Sequence, residues 1–132
     1  MRENLALPYA DHLNIKVLLE ETGKSHLQLN IESFHLNRHS VLSGGTIYSL
    51  SDVGMGLAIY PSLQDDEICA TVEIKMSYFN AVKEGKVDCY TRILKKGKRL
   101  VFLESEIVKQ DKLIAKASGS YLIFKPKAEK TR

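Results

Sequence analysis

The chain has 132 residues, 44% of them hydrophobic and 27% charged, with a formal net charge of +3. This composition is typical of a globular domain whose core needs no metal or disulfide. No apolar run reaches the roughly 18–20 residues of a membrane-spanning helix. We therefore predict a single domain over residues 1–132 that has no membrane partner. The first eight residues lack the apolar core of a signal peptide, so we expect a cytoplasmic protein.

The first half of the chain predicts three short elements followed by one long helix. They are, in order, a short helix at residues 5–13, strands at residues 15–20 and 26–34, and the long helix at residues 43–60. Apolar and polar residues alternate in the second strand, as in a half-buried sheet. Ser43 is a suitable N-cap for the long helix. Pro61 ends it, because proline restricts the conformation of the residue before it.

The second half predicts four consecutive strands. They lie at residues 68–79, 87–94, 100–109 and 112–124, with a hairpin loop at residues 95–98 and a two-residue turn at residues 110–111. Because strands joined by short loops pair antiparallel, the expected fold is α+β, with one curved antiparallel sheet wrapped around the long helix. The polar residues 125–132 predict a flexible tail.

The long helix is apolar around its whole circumference, which is typical of a helix enclosed by protein. Its one charged residue is Asp52. A carboxylate in such surroundings is costly unless something compensates it, so Asp52 is the first candidate for chemistry. The alternative is an acid that emerges at the rim. Tyr48, Met55 and Ile59 share a face that the sheet is expected to leave uncovered, and a second copy of the chain is the simplest cover.

Several fragments, taken in order, resemble one known family. They are residues 8–15, Asn37, residues 44–52, residues 71–78 and the loop at residues 80–85. With this order and spacing, over residues 8–124, the chain resembles the hotdog-fold acyl-CoA thioesterases, specifically the phenylacetate-pathway type of the 4-hydroxybenzoyl-CoA thioesterase superfamily. The resemblance implies a hotdog fold and hydrolysis of an acyl-CoA thioester to the free acid and coenzyme A. It implies no cofactor besides the coenzyme A of the substrate.

The resemblance also implies catalytic residues. Asp52 matches the family's helix carboxylate, which acts as general base on water or as nucleophile on the thioester carbonyl. Gly44 matches the glycine whose N–H polarises that carbonyl, Thr71 the hydroxyl that holds the water, and Asn37 the asparagine near the entrance of the site. Asp52 and Gly44 are eight residues apart, about 12 Å along a helix. They are therefore expected to act together from different subunits of a homodimer, and dimers are expected to pair into a tetramer.

Further residues are expected to bind the substrate. On the helix they are Ser43, Gly45 and Tyr48, with the acyl group at the dimer seam beside Tyr48, Met55 and Ile59. The alternative for these last three residues, which the apolar helix favours, is that they are core residues. Four basic residues are candidate contacts for the coenzyme A phosphates: Lys95, Lys96, Lys98 and Arg99. The alternative is a solvated basic face. This segment lacks the interleaved aromatic residues of a nucleic-acid surface, so no nucleic-acid partner is expected. The histidines show no metal-ligand spacing, so no metal site is predicted.

The chain departs from the family pattern at two positions. Ser43 stands where the family usually has histidine, and Ser40 stands where it usually has glycine. Serine cannot do acid–base work near neutral pH, which favours an alternative function: a hotdog protein that binds or senses acyl-CoA without hydrolysing it. A dehydratase is disfavoured, because no histidine lies on the helix. Simple alternation also places Thr71 on the strand face opposite Val72 and Ile74, away from the chain's own helix.

Overall fold

The structure is a computed structural model that describes residues 6–127. Its helices are α1 (Pro8–His12) and α2 (Gly44–Ile59), and its strands are β1 (Lys16–Glu21), β2 (Lys24–Asn30), β3 (Ile68–Tyr78), β4 (Lys86–Lys96), β5 (Leu100–Lys109) and β6 (Lys112–Phe124). The described strands form one antiparallel sheet in the order β1-β2-β4-β5-β6-β3. The sheet packs around α2, which is the α+β hotdog fold that we expected.

Most predicted boundaries hold to within a residue or two. Strands β5 and β6 match their predicted ranges, and α2 begins directly after Ser43. The strand predicted for residues 26–34 ends earlier, at Asn30, and a short 3₁₀ turn covers Ser33–His35. Residue 5 of the predicted first helix and residues 128–132 of the predicted tail lie outside the described residues.

Helix α2 is held by apolar contacts on most of its circumference. Leu50, Met55 and Ile59 are fully buried against the chain's own sheet. The expectation that Met55 and Ile59 lie on an uncovered face, next to an acyl pocket, is therefore wrong, and the alternative that they are core residues is confirmed. The physical reason lies on β6: Gly119 has no side chain, and a Cβ built there would lie 2.5 Å from the Met55 sulfur. The glycine leaves the space that Met55 fills.

A narrower stripe of α2 is less covered by the rest of the chain. It consists of Gly45, Tyr48, Asp52 and Gly56, which follow one another at helical spacing. We call this stripe the open face of α2. A Cβ built on Gly56 meets no atom within 4 Å, so there is room above this part of the helix.

A β-bulge in β3 changes which residues face α2. Thr71 pairs with Tyr121 and Glu73 pairs with Ser120, so Val72 is an extra residue between two paired ones. Val72 is 59% exposed, and Glu73 beside it is exposed as well. With both residues directed outward, Thr71 and Ile74 share the face toward the helix. Strict alternation, which placed Thr71 on the opposite face, is therefore wrong at this point.

Candidate active site

The Asp52 carboxylate lies where α2 meets β3 and β6. The Thr71 hydroxyl of β3 donates a hydrogen bond of 2.7 Å to Asp52 Oδ1. The Tyr121 hydroxyl of β6 contacts the same oxygen and lies 2.8 Å from the Asp52 main-chain oxygen. Asp52 Oδ2 accepts no hydrogen bond from the described residues. One oxygen of the carboxylate is thus fixed by protein hydroxyls, and the other is left for a water or a substrate.

Tyr121 approaches Asp52 from within the core. Its side chain is 2% exposed, and it packs with Met55, Val101 and Ile123. Burial raises the pKa of Tyr121 above its usual range, and the hydrogen bond to Asp52 adds to the increase. The phenol therefore stays protonated and remains a hydrogen-bond donor over the pH range in which enzymes work.

The first turn of α2 presents one free backbone amide. Ser43 caps the helix as predicted, with its hydroxyl accepting the N–H of Gly45 at 3.2 Å. The N–H of Thr46 donates to the Ser43 carbonyl at 3.0 Å. Within residues 6–127 the N–H of Gly44 has no such acceptor. An unpaired amide at the positive end of a helix dipole can stabilise a developing negative charge on a carbonyl oxygen.

Tyr78 stabilises this turn from β3. Its hydroxyl donates a 2.8 Å hydrogen bond to the carbonyl oxygen of Gly44. Its ring covers the glycine, since a Cβ built on Gly44 would lie 3.5 Å from the ring carbons. Partial burial, and to a lesser extent the neighbouring Tyr48, raises the pKa of Tyr78. The strand thus contacts both Gly44 and Asp52.

Asn37 and Ser40 shape the loop before the helix. Asn37 Oδ1 accepts the backbone N–H of His39 at 2.9 Å, and the Asn37 N–H donates to the Val41 carbonyl at 2.8 Å. Asn37 therefore organises the loop that leads into α2. Ser40 has a φ of 61°, a left-handed conformation that glycine adopts without strain. Serine thus replaces the glycine that the family usually has at a position where glycine would adopt the backbone conformation without strain.

The four candidate phosphate contacts lie at the turn between β4 and β5. Lys95, Lys96, Lys98 and Arg99 are all exposed, and none of them makes an ion pair with another described residue. The strand register gives their position: Lys96 pairs with Val101, and Val101 pairs with Tyr121. The basic turn is therefore at the end of the sheet where Tyr121 meets Asp52.

The buried histidine of the chain has a structural environment. His35 Nε2 donates to the Leu13 carbonyl at 2.7 Å, and His35 Nδ1 accepts the N–H of Glu32 at 2.9 Å.

Among residues 6–127, no three His, Cys, Asp or Glu side chains are grouped closely enough to hold a metal ion. In the same range, every helix is too short or too polar to cross a membrane.

Tyr78 and Tyr121 are the site residues that sequence reasoning missed. Tyr121 stands on the inward face of β6, where the other residues of that face from 115 to 123 are small or apolar, and a buried tyrosine hydroxyl usually has a partner. That signal could have identified it. Nothing in the sequence indicates that the partner is Asp52, because this depends on the pairing of Tyr121 with Thr71.

The element order and the sheet topology define a hotdog-fold protein. A solved structure of a conserved protein from Pseudomonas aeruginosa is similar, with a TM-score of 0.86 and 33% identity over 90% of this chain and 95% of that one. A phenylacetic acid degradation protein from Thermus thermophilus has the same fold, with a TM-score of 0.81 and 24% identity over 87% of this chain and 97% of its own.

Sequence comparison gives the family. The family described as the thioesterase superfamily matches residues 39–116, which is more than half of the chain. A protein of Saccharolobus solfataricus, provisionally named an esterase, is 30% identical over 89% of this chain and 84% of its own length. The chain therefore belongs to the thioesterase superfamily, and thioester hydrolysis is the general activity that this membership supports.

Proposed function

We propose that the protein hydrolyses an acyl-CoA thioester at a site formed between two subunits, and that it is of the phenylacetate-pathway type. The observation that carries the proposal is the Asp52 carboxylate on the open face of α2. Two hydroxyls hold one of its oxygens, and the other is free among the described residues. A carboxylate held in this way can act on water or on a carbonyl carbon.

The proposed reaction uses two groups of the site, the Asp52 carboxylate and the Gly44 N–H. As general base, Asp52 takes a proton from water while the water oxygen bonds to the thioester carbon. The Gly44 N–H stabilises the resulting oxyanion. When the tetrahedral intermediate collapses, the carbon–sulfur bond breaks and coenzyme A leaves as a thiolate that receives the proton. As nucleophile, Asp52 would instead attack the thioester carbon; the carbon–sulfur bond breaks, coenzyme A leaves as a thiolate, and water hydrolyses the resulting acyl anhydride to the free acid and the Asp52 carboxylate, its proton passing to the thiolate.

The dimer is part of the proposal because one helix cannot supply both groups. Gly44 and Asp52 lie on the same helix, about 12 Å apart along its axis, which is too far to reach one carbonyl. Strand β3 lies at the edge of the sheet beside the open face. Val72 and Tyr78 on this strand, and Phe79 directly after it, are each more than half exposed. Pairing of β3 with its copy would cover these side chains and bring Gly44 of one protomer toward Asp52 of its partner.

The substrate can be oriented along the open face. The basic turn at Lys95, Lys96, Lys98 and Arg99 offers cations for the phosphates of coenzyme A. At the other end of the substrate, the space above Gly56, one helical turn beyond Asp52, can receive the acyl group. Ser43, Gly45 and Tyr48 then line the path between the helix start and the carboxylate.

The test is release of free coenzyme A thiol from a panel of acyl-CoA substrates. Asp52→Asn keeps the size of the side chain but removes the base, and it should lower kcat by a factor of a hundred or more. Asp111→Asn, in the exposed turn between β5 and β6, is the matched control and should behave as wild type. If a folded Asp52→Asn protein hydrolyses as fast as wild type, Asp52 is not the catalytic group.

A second candidate function is binding or sensing of acyl-CoA without turnover. Ser43 favours it, because the serine is used as a helix cap in the place of the family's histidine. Calorimetric titration with the same panel distinguishes the two functions. Tight binding of acyl-CoA with no release of thiol would support the second and exclude the first.

A further inference from the structure

Tyr121 is the most buried polar group that touches the candidate catalytic carboxylate. Its hydroxyl faces Asp52 Oδ1 and the Asp52 main-chain oxygen, and its single proton can be given to either. The side chain is 2% exposed, so water does not compete for this proton. Its backbone is fixed on both sides, since Tyr121 pairs with Thr71 on β3 and with Val101 on β5.

The two hydroxyls converge on one carboxylate oxygen from neighbouring strands. Thr71 Oγ1 is 2.7 Å from Asp52 Oδ1, and the Tyr121 hydroxyl contacts the same atom. Rotation of the carboxylate would break both contacts. Oδ2 is then the oxygen left to take a proton or to attack, and its direction is set before substrate arrives. Fixed orientation of a reacting group lowers the barrier without any new contact to substrate.

We propose that Tyr121 is a positioning residue: from within the core it holds Asp52 Oδ1, so that Oδ2 is directed toward the substrate. This inference rests on the proposed thioesterase function. Tyr121 is not offered as a catalytic residue, because its hydroxyl is directed to Asp52 and its ring lies in the core. Its effect reaches the substrate only through the carboxylate.

The test compares Tyr121→Phe with a matched variant, Tyr90→Phe. Both remove one phenol oxygen and keep the ring. Tyr90 lies on the opposite face of the sheet, 49% exposed and stacked on His26. For Tyr121→Phe we expect kcat to fall tenfold or more with KM changed less than twofold. The acid limb of the kcat profile should move to higher pH, because a donor that favours the ionised carboxylate is lost. Tyr90→Phe should match wild type in all three.

A purely structural role would lower the unfolding midpoint of Tyr121→Phe but leave the pH profile of the folded enzyme in place. That result would overturn the proposal, as would an unchanged kcat. A second measurement separates this failure from failure of the proposed function. With ¹³C-labelled aspartate, the Asp52 carboxyl resonance should shift at fixed pH in Tyr121→Phe and stay in place in Tyr90→Phe. If the resonance shifts in Tyr121→Phe but the wild-type protein hydrolyses no acyl-CoA, the proposed function is refuted and the contact between Tyr121 and Asp52 stands. If the resonance does not shift, the contact itself is refuted.

Discussion

Two glycines of α2 offer a sharp test of how the helix packs. Gly54 faces the sheet: a Cβ built there would lie 2.7 Å from Thr91 Oγ1 and 3.3 Å from Ser25 Oγ. Gly56, two residues later, lies on the open face, where a Cβ would meet nothing within 4 Å. The same change, glycine to alanine, should therefore have opposite effects at the two positions.

The magnitudes follow from opposing contributions. In either position alanine gains about 1 kcal/mol of helix propensity over glycine. At Gly54 the added methyl overpacks the interface, at a cost of about 1–3 kcal/mol. It also disturbs the 2.6 Å hydrogen bond from Ser25 to the Gly54 carbonyl, a further loss of about 1 kcal/mol. We therefore expect Gly54→Ala to lower the free energy of unfolding by about 1–3 kcal/mol, and Gly56→Ala to raise it by up to about 1 kcal/mol.

Urea unfolding followed by far-UV circular dichroism measures both values, with wild type as the reference. Repeating it at several protein concentrations shows whether association contributes, since the midpoint of a dimer depends on concentration. Equal changes in the free energy of unfolding for the two variants would refute the reasoning, because the contacts of Gly54 with β2 and β4 are the only reason for a difference. If Gly56→Ala were destabilising only at high concentration, a second subunit would cover that glycine.

Three further results are expected. Ser40→Gly should raise the free energy of unfolding by about 0.5–1 kcal/mol, because it relieves a left-handed serine, and thermal unfolding measures it. Burial raises the pKa of the Cys89 thiol from 9.0 to about 11; the unfolded thiol loses its proton first, so stability should fall between pH 9 and 11. The loss is roughly 2–3 kcal/mol in the free energy of unfolding. Cys89→Ala has no thiol at this position, so its free energy of unfolding should not show this loss between pH 9 and 11. Lys98→Glu combined with Arg99→Glu should raise KM for an acyl-CoA severalfold at low salt, while KM for the same acyl group on pantetheine, which lacks the nucleotide phosphates, stays unchanged.

Periodicity predicted the elements well because most of them obey it. The helix cap at Ser43 and the strand β5 follow from local residue types, and both are confirmed. The bulge at Val72 could not be predicted, since residues 68–78 alternate without a break in the sequence. It is the register with β6 that reveals the extra residue.

The sequence also could not predict which side of α2 the sheet covers. An all-round apolar helix gives no sign of which face the sheet takes. The choice depends on Gly119, far along the chain, which leaves space for Met55. Asp52 was identifiable as the isolated charge of the helix, whereas its partner Tyr121 required tertiary structure.

The bulge in β3 also has a consequence for chain length in this family. Val72 is an added residue that the sheet absorbs, because Thr71 and Glu73 keep consecutive partners on β6. A relative that lacks it would have a regular strand and still direct both Thr71 and Ile74 inward. Loss of Ala70 instead would turn the residues before it to the other face. Gaps in alignments of relatives should therefore collect at residue 72, where the edge strand can change length without disturbing the carboxylate beside it.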